Sequence, residues 1–173
     1  QYNDVINGFS SGGEIMAVGR FVMHNDARKF FEKIGIKGRK GGKSDTGKFE
    51  TYFDAYWICA QIGMLKDRYE DPGGPKEAPE MTRNFRGLST THRHLISGVA
   101  FYKFCEQRGK TESDDVILKE MAKFFSEEYN TLNEAGCNLL NCYSYGGFNE
   151  IFESVGEDCI HLHEFLLQCR CLH

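Results

Sequence analysis

Residues 49–66, which read FETYFDAYWICAQIGMLK, carry the strongest helical pattern in the chain. Apolar side chains recur there at steps of three and four, the spacing that places them on one face of an α-helix; they are Phe53, Tyr56, Trp57, Ala60 and Met64. Further apolar residues widen this face well beyond a single stripe. We therefore predict a central helix that is buried on most sides.

Weaker patterns on both sides of this stretch predict further helices. They fall at residues 25–34, 90–107, 114–129, 133–142, 147–154 and 159–171. Asn25 is a favourable N-cap and Gly35 a favourable stop for the first of them. Tyr145-Gly146-Gly147 predicts a tight turn with positive φ between two of the later ones.

The remaining stretches predict loops around this helical body. Residues 1–23 are rich in Gly, Ser and Asn and predict a short β-hairpin or an irregular arm, and residues 71–86 open on a Pro-Gly turn and predict a polar loop. The fold class expected is mainly α, in one compact helical domain over residues 1–173.

Composition excludes several classes of protein. The net charge of −4 argues against a protein covered in basic residues that packages nucleic acid. Seven scattered cysteines indicate reduced, buried thiols and a cytoplasmic location rather than a secreted disulfide scaffold. The chain contains no apolar run of about 18 residues, so we expect no membrane-spanning helix.

Residues 37–48 form the most basic segment, with five cationic residues and four glycines, and predict an exposed loop. Such a loop suits the phosphates of DNA; the alternative is a solvated surface loop without a ligand. The cations are Lys37, Arg39, Lys40, Lys43 and Lys48. A nucleotide-binding P-loop needs glycine where Lys37 stands, so we do not expect one.

Two further groups could carry chemistry. Asp67, Glu70 and Asp71 follow the central helix, and carboxylates grouped in this way can hold Mg²⁺. His92 and His94 flank Arg93 at a helix start, where the imidazoles could act as acid or base and Arg93 could contact phosphate. The alternative for both groups is a solvated surface without a ligand.

The C-terminal residues are rich in zinc-ligand types, but we do not expect zinc. Cys159 with His163 and Cys169 with His173 each lie four residues apart on one predicted helix. The two pairs are then separated by about 15 Å along that helix, too far to share one ion.

Two stretches together carry a family resemblance. Residues 52–64 read YFDAYWICAQIGM, and residues 141–151 read NCYSYGGFNEI. This combination resembles small proteins of bacterial phage defence, among them the nickase and nicked-DNA-binding components of DNA phosphorothioation systems. The resemblance implies a DNA partner, and it carries no catalytic residue over to this chain.

The leading hypothesis is a DNA-backbone-binding protein of a bacterial defence or DNA-modification system, with metal-dependent nicking on Mg²⁺ as its extension. The partners expected are DNA and other subunits of such a system. One alternative is a non-catalytic adaptor that docks a larger enzyme, for which a large exposed apolar patch is the mark. A second alternative is a small zinc-using or small-molecule enzyme.

Overall fold

Most of the described secondary-structure elements are helices. The structure is a computed structural model and describes residues 19–36, 49–83, 90–108, 113, 115–117, 119, 132–156 and 161–169. They form β1 (Arg20–Val22), α1 (Asn25–Ile34), α2 (Tyr52–Leu65), β2 (Glu80–Arg83), α3 (Thr90–Arg108), α4 (Glu134–Val155) and α5 (Leu162–Cys169). The predicted mainly α fold is confirmed. Residues 115–117 and 119 are helical as well, whereas most of the predicted helix 114–129 lies outside the described residues.

The central helix α2 is delimited by strong signals at both ends. At its start the Thr51 hydroxyl accepts a hydrogen bond from the Asp54 amide at 3.3 Å, and the Asp54 carboxylate accepts one from the Thr51 amide at 2.8 Å. This capping box explains why the helix begins three residues later than the apolar pattern does. At its end Asp67 adopts a φ of 52°, and the Arg68 amide donates to the Gly63 carbonyl at 2.8 Å.

Helix α4 is continuous from Glu134 to Val155, so the turn predicted at Tyr145-Gly146-Gly147 is wrong. The glycines serve helix packing instead. A Cβ atom on Gly147 would lie 1.8 Å from the Cys59 carbonyl oxygen of α2, and one on Gly63 would lie 2.0 Å from the Tyr143 carbonyl oxygen of α4. Because neither glycine carries a Cβ, the backbones of α2 and α4 come into direct contact.

Aromatic side chains from α1, α4 and α5 pack together in the core with Phe49. Phe31 packs edge to face on Phe49 and Phe165 with ring centroids 5.5 Å apart in both pairs, and Phe30 packs in the same way on Phe148 at 5.8 Å. All five rings are buried. Edge-to-face contacts of this kind add to the burial energy, and here they tie α1, α4 and α5 to Phe49.

The strands β1 and β2 form a small antiparallel sheet. Arg20 pairs with Arg83 and Phe21 with Thr82. β1 falls at the end of the predicted N-terminal arm, whereas β2 falls inside the stretch predicted as a polar loop. Asn141 of α4 anchors β1, since its side chain accepts from the Val22 amide at 3.1 Å and donates to the Arg20 carbonyl at 3.0 Å.

Candidate functional site

The predicted phosphate-contacting residues divide between described and undescribed parts of the chain. Lys37, Arg39, Lys40, Lys43 and Lys48 all lie outside the described residues. The residues that flank this segment on both sides are described, and the two flanks contact each other. Ile36 and Phe49 are β-bridge partners, and the Phe49 amide donates to the Gly35 carbonyl at 3.0 Å.

His92, Arg93 and His94 lie in the first turns of α3, as predicted. Both histidines are exposed and Arg93 is half-buried. Farther along the same helix, the Lys103 ammonium lies 3.1 Å from the Asp67 carboxylate. At a rise of about 1.5 Å per residue, the Cα of His94 is roughly 14 Å from that of Lys103 along the axis. The described contacts therefore do not bring the histidines and Asp67 together.

The three carboxylates predicted to bind Mg²⁺ have separate partners. Asp67 meets Lys103, Glu70 meets Arg68 at 2.5 Å, and Asp71 accepts a hydrogen bond from the Gly73 amide at 2.9 Å. Within the described ranges, no three His, Cys, Asp or Glu side chains converge as ligands for a metal ion. What the structure shows at Asp67 and Glu70 is charge pairing.

These pairs belong to a larger polar network, which we call the α2-exit network because it begins where α2 ends. It joins that exit to α3 and α4, and its members are Asp67, Arg68, Glu70, Lys103, Gln107, Tyr143, Asn149, Glu150 and Glu153.

One half of the network surrounds Arg68. Its guanidinium donates to Glu150 at 3.0 Å and to Glu153 at 2.6 Å, in addition to Glu70. Asn149 holds the second oxygen of Glu70 at 2.6 Å. One cation is thus paired with three carboxylates, so these four groups together carry a net negative charge.

The other half surrounds Tyr143, whose side chain is fully buried. Its hydroxyl accepts from the Gln107 amide at 2.6 Å and donates to Asp67 at 3.4 Å. The Lys103 ammonium lies 5.6 Å from the centre of the Tyr143 ring and 2.9 Å from Glu106. These contacts fasten the C-terminal half of α3 to α4.

Four groups in and beside the network have pKa values that depart from their ordinary ones. Hydrogen bonds that Arg68 donates to Glu153, Glu70 and Glu150 raise the pKa of Arg68, and Arg68 in turn lowers the pKa of Glu153. Burial alone lowers the pKa of Lys103, but Glu106 and Asp67 outweigh it and raise that pKa. Burial raises the pKa of the Cys142 thiol to about 11. None of these four groups is poised to exchange a proton near pH 7, as acid–base catalysis requires.

Sequence reasoning missed the network because its partners are distant along the chain. Asp67, Glu70 and Asp71 lie close together in sequence, which predicts a shared ion. A local signal was nevertheless present. Arg68 stands between Asp67 and Glu70, and Lys103 and Gln107 lie four residues apart on one helix face, where they can meet the same neighbour.

Comparison with known proteins adds no relative to this picture. No family model matches the chain, and neither a curated protein nor a solved structure shows significant similarity to it. Among the described helices, none combines the length and the apolar character needed to cross a bilayer.

Proposed function

We propose that the protein binds the DNA backbone through residues 37–48, as part of a bacterial defence or DNA-modification system. The observation that supports this most is the segregation of charge. Five of the 21 basic residues and one of the 25 acidic residues fall in this segment, a net charge of +4. The other 16 basic and 24 acidic residues give −8. The segment therefore attracts phosphates, whereas the rest of the chain repels them on balance.

The attachment of the segment supports the same proposal. Phe49 is 6% exposed and packs on Phe31 and Phe165, so the residue that follows the segment is part of the aromatic core. The bridge between Ile36 and Phe49 holds both ends together. The chain therefore enters and leaves the segment at one place on the protein.

The test is the salt dependence of binding to a short labelled DNA duplex, followed by fluorescence anisotropy. Five phosphate contacts predict a slope of log K against log salt of about −4.5. Changing Lys37, Arg39, Lys40, Lys43 and Lys48 to Gln should remove most of that slope.

The matched control changes five exposed lysines of the described surface to Gln, with the same loss of net charge; they are Lys29, Lys33, Lys66, Lys76 and Lys119. It should retain the slope. Equal loss of binding in both variants would show that only net charge matters, and absence of binding at low salt would overturn the proposal.

Metal-dependent nicking is the extension of this proposal, and it concerns Asp67, Glu70, Asp71, His92 and His94. Supercoiled plasmid incubated with the protein in Mg²⁺ or Mn²⁺, beside an EDTA control, would give open circles if the protein nicks. If so, Asp67→Asn and Glu70→Gln should abolish the conversion. Nicking that persists in both variants would exclude Asp67 and Glu70 as metal ligands.

The second candidate function is a non-catalytic adaptor, and one surface favours it. Leu95 and Tyr102 are 60% and 66% exposed on one face of α3, with the exposed Gly98 between them. A photoreactive phenylalanine analogue at Tyr102 should crosslink a partner in cells, whereas the same analogue at the exposed Lys76 should not. Identical crosslinking from both positions would remove the support for this candidate.

A further inference from the structure

The residue that caps α1 is a histidine, and it caps through a ring nitrogen. His24 directly precedes α1, and its Nδ1 accepts a hydrogen bond from the Asp26 amide at 3.2 Å. A ring nitrogen accepts a hydrogen bond only when it carries no proton, so this capping contact requires the form of the ring that has its proton on Nε2. Asp, Asn, Ser and Thr are the usual caps, and of these Asn, Ser and Thr do not change charge in the physiological range.

The surroundings of the ring restrict how it can respond to a proton. The ring packs on the Tyr145 ring of α4 with centroids 4.5 Å apart, and its side chain is 15% exposed. On α1 itself, a carboxylate oxygen of Asp26 lies 3.6 Å from Nδ1. The segment before β2 also packs here, through a hydrogen bond of 2.8 Å from the Asn25 amide to the Glu77 carbonyl.

Among the described residues, charged groups come from each element that packs near the ring. From α1 they are Asp26, the Lys29 that pairs with it at 3.7 Å, and Arg28, whose amide donates to the His24 carbonyl at 3.0 Å and whose guanidinium donates to the Met23 carbonyl at 3.2 Å. The segment before β2 contributes Lys76 and Glu77, whose side chains are exposed. The group from α4 is the phenol of Tyr145. Of these described groups, the Asp26 carboxylate lies 3.6 Å from Nδ1 and can accept a hydrogen bond from it once Nδ1 carries a proton.

We propose that protonation of His24 switches its contact from the Asp26 amide to the Asp26 carboxylate and uncaps α1. Histidine is the side chain that ordinarily changes charge between pH 5 and 8. Once protonated, Nδ1 is a donor and can no longer accept the amide hydrogen. The positive ring then also lies at the positive end of the helix dipole, which disfavours the capped arrangement further. The first turn of α1 is thus a pH-sensitive element.

The first test is the tautomer of the ring, measured from the ¹⁵N chemical shifts of the imidazole above the ring's own titration. The proposal requires the Nε2–H tautomer. The Nδ1–H tautomer would overturn it, because that form cannot accept the amide hydrogen.

The second test is hydrogen exchange of the Asp26 amide at pH 7.5 and 5.5, corrected for the intrinsic effect of pH. Loss of one cap corresponds to a protection factor that falls about fivefold at the lower pH. The His24→Asn variant keeps a capping side chain that does not titrate, so its protection should be equal at both values. An unchanged protection in the unmodified protein, or the same fall in His24→Asn, would overturn the proposal.

Discussion

The residues where α2 and α4 meet leave no space for a larger side chain. Gly147→Ala would place a Cβ atom 1.8 Å from the Cys59 carbonyl oxygen, a rigid backbone atom in a buried helix. The helices would have to separate, so we expect the free energy of unfolding to fall by about 3 kcal/mol. Urea denaturation followed by circular dichroism measures this loss.

Gly98 provides the matched control on α3. It is helical and exposed, and a Cβ added to it meets no atom within 4 Å. Alanine restricts the unfolded chain more than glycine, so Gly98→Ala should raise stability by about 0.5–1 kcal/mol. Equal effects of the two substitutions, in either direction, would show that the contact between α2 and α4 is looser than described.

Asn141 is a second residue on which several contacts depend. Besides β1, it serves the fully buried Tyr56, whose hydroxyl donates to Asn141 at 2.9 Å. Asn141→Ala would leave buried polar groups without partners and should cost about 3 kcal/mol. Tyr56→Phe should cost less, because Asn141 retains its contacts with β1. The double variant should then cost less than the sum of the two, as a double-mutant cycle in urea would show.

At the scale of elements, the end of α2 shows a conformation that glycine usually provides. Asp67 has a φ of 52°, and its amide donates to the Met64 carbonyl at 3.4 Å, which with the Arg68–Gly63 bond forms a Schellman motif. The aspartate keeps a contact that glycine would lose, namely the ion pair with Lys103. The position therefore combines backbone strain with a side-chain tether between α2 and α3.

Two substitutions separate these contributions. Asp67→Gly removes the tether and relieves the strain, whereas Asp67→Ala removes the tether and keeps the strain. We expect Asp67→Ala to be less stable than Asp67→Gly by about 1 kcal/mol. Thermal unfolding of both variants measures the difference, and identical stabilities would contradict the strain at this position.

The helices that could be predicted from the sequence are those whose signals are local. The bounds of α1 agree with the prediction, and those of α2 and α3 differ from it by at most three residues. The failures concern contacts between distant residues. Gly146 and Gly147 indicate a turn until Cys59 and Arg68 are known to lie against them. β2 carries no apolar alternation and is defined by its pairing with β1.

The candidate site was predicted less well than the fold, for the same physical reason. The position of Asp67, Glu70 and Asp71 after the central helix was correct. The ionic partner of Asp67 could not be deduced, because Lys103 comes from another helix. Nor could the wider pairing of Arg68 be deduced, because Glu150 and Glu153 come from α4. The proximity of carboxylates in sequence does not reveal which basic side chains, distant along the chain, form ion pairs with them in the folded protein.

At the scale of the whole molecule, buried thiols predict instability in alkali. Burial raises the pKa of Cys137 to about 12 and that of Cys142 to about 11, from an ordinary value of about 9. The folded state therefore favours the neutral thiol. This stabilisation is complete below about pH 9, where the thiols of the unfolded chain are also protonated, and it declines as the pH rises towards 11.

The measurement is the free energy of unfolding in urea between pH 8 and 10. Each thiol should cost on the order of 1 kcal/mol at the upper end. Cys142→Ala should show a smaller decline with pH than the unmodified protein. A stability that is constant over this range would show that the thiols are less buried than the structure indicates.

The glycine contact between α2 and α4 also bears on how mutational maps of this protein are read. A saturation screen for expression would report Gly63, Gly146 and Gly147 as intolerant of every substitution, because each added Cβ atom meets backbone at 2.1 Å or less. Such a profile is commonly assigned to an active site. In this protein it would mark the close contact of α4 with α2 and with Arg68, which follows α2. The tolerant Gly98 would mark an exposed position on α3, where an added Cβ atom meets nothing within 4 Å.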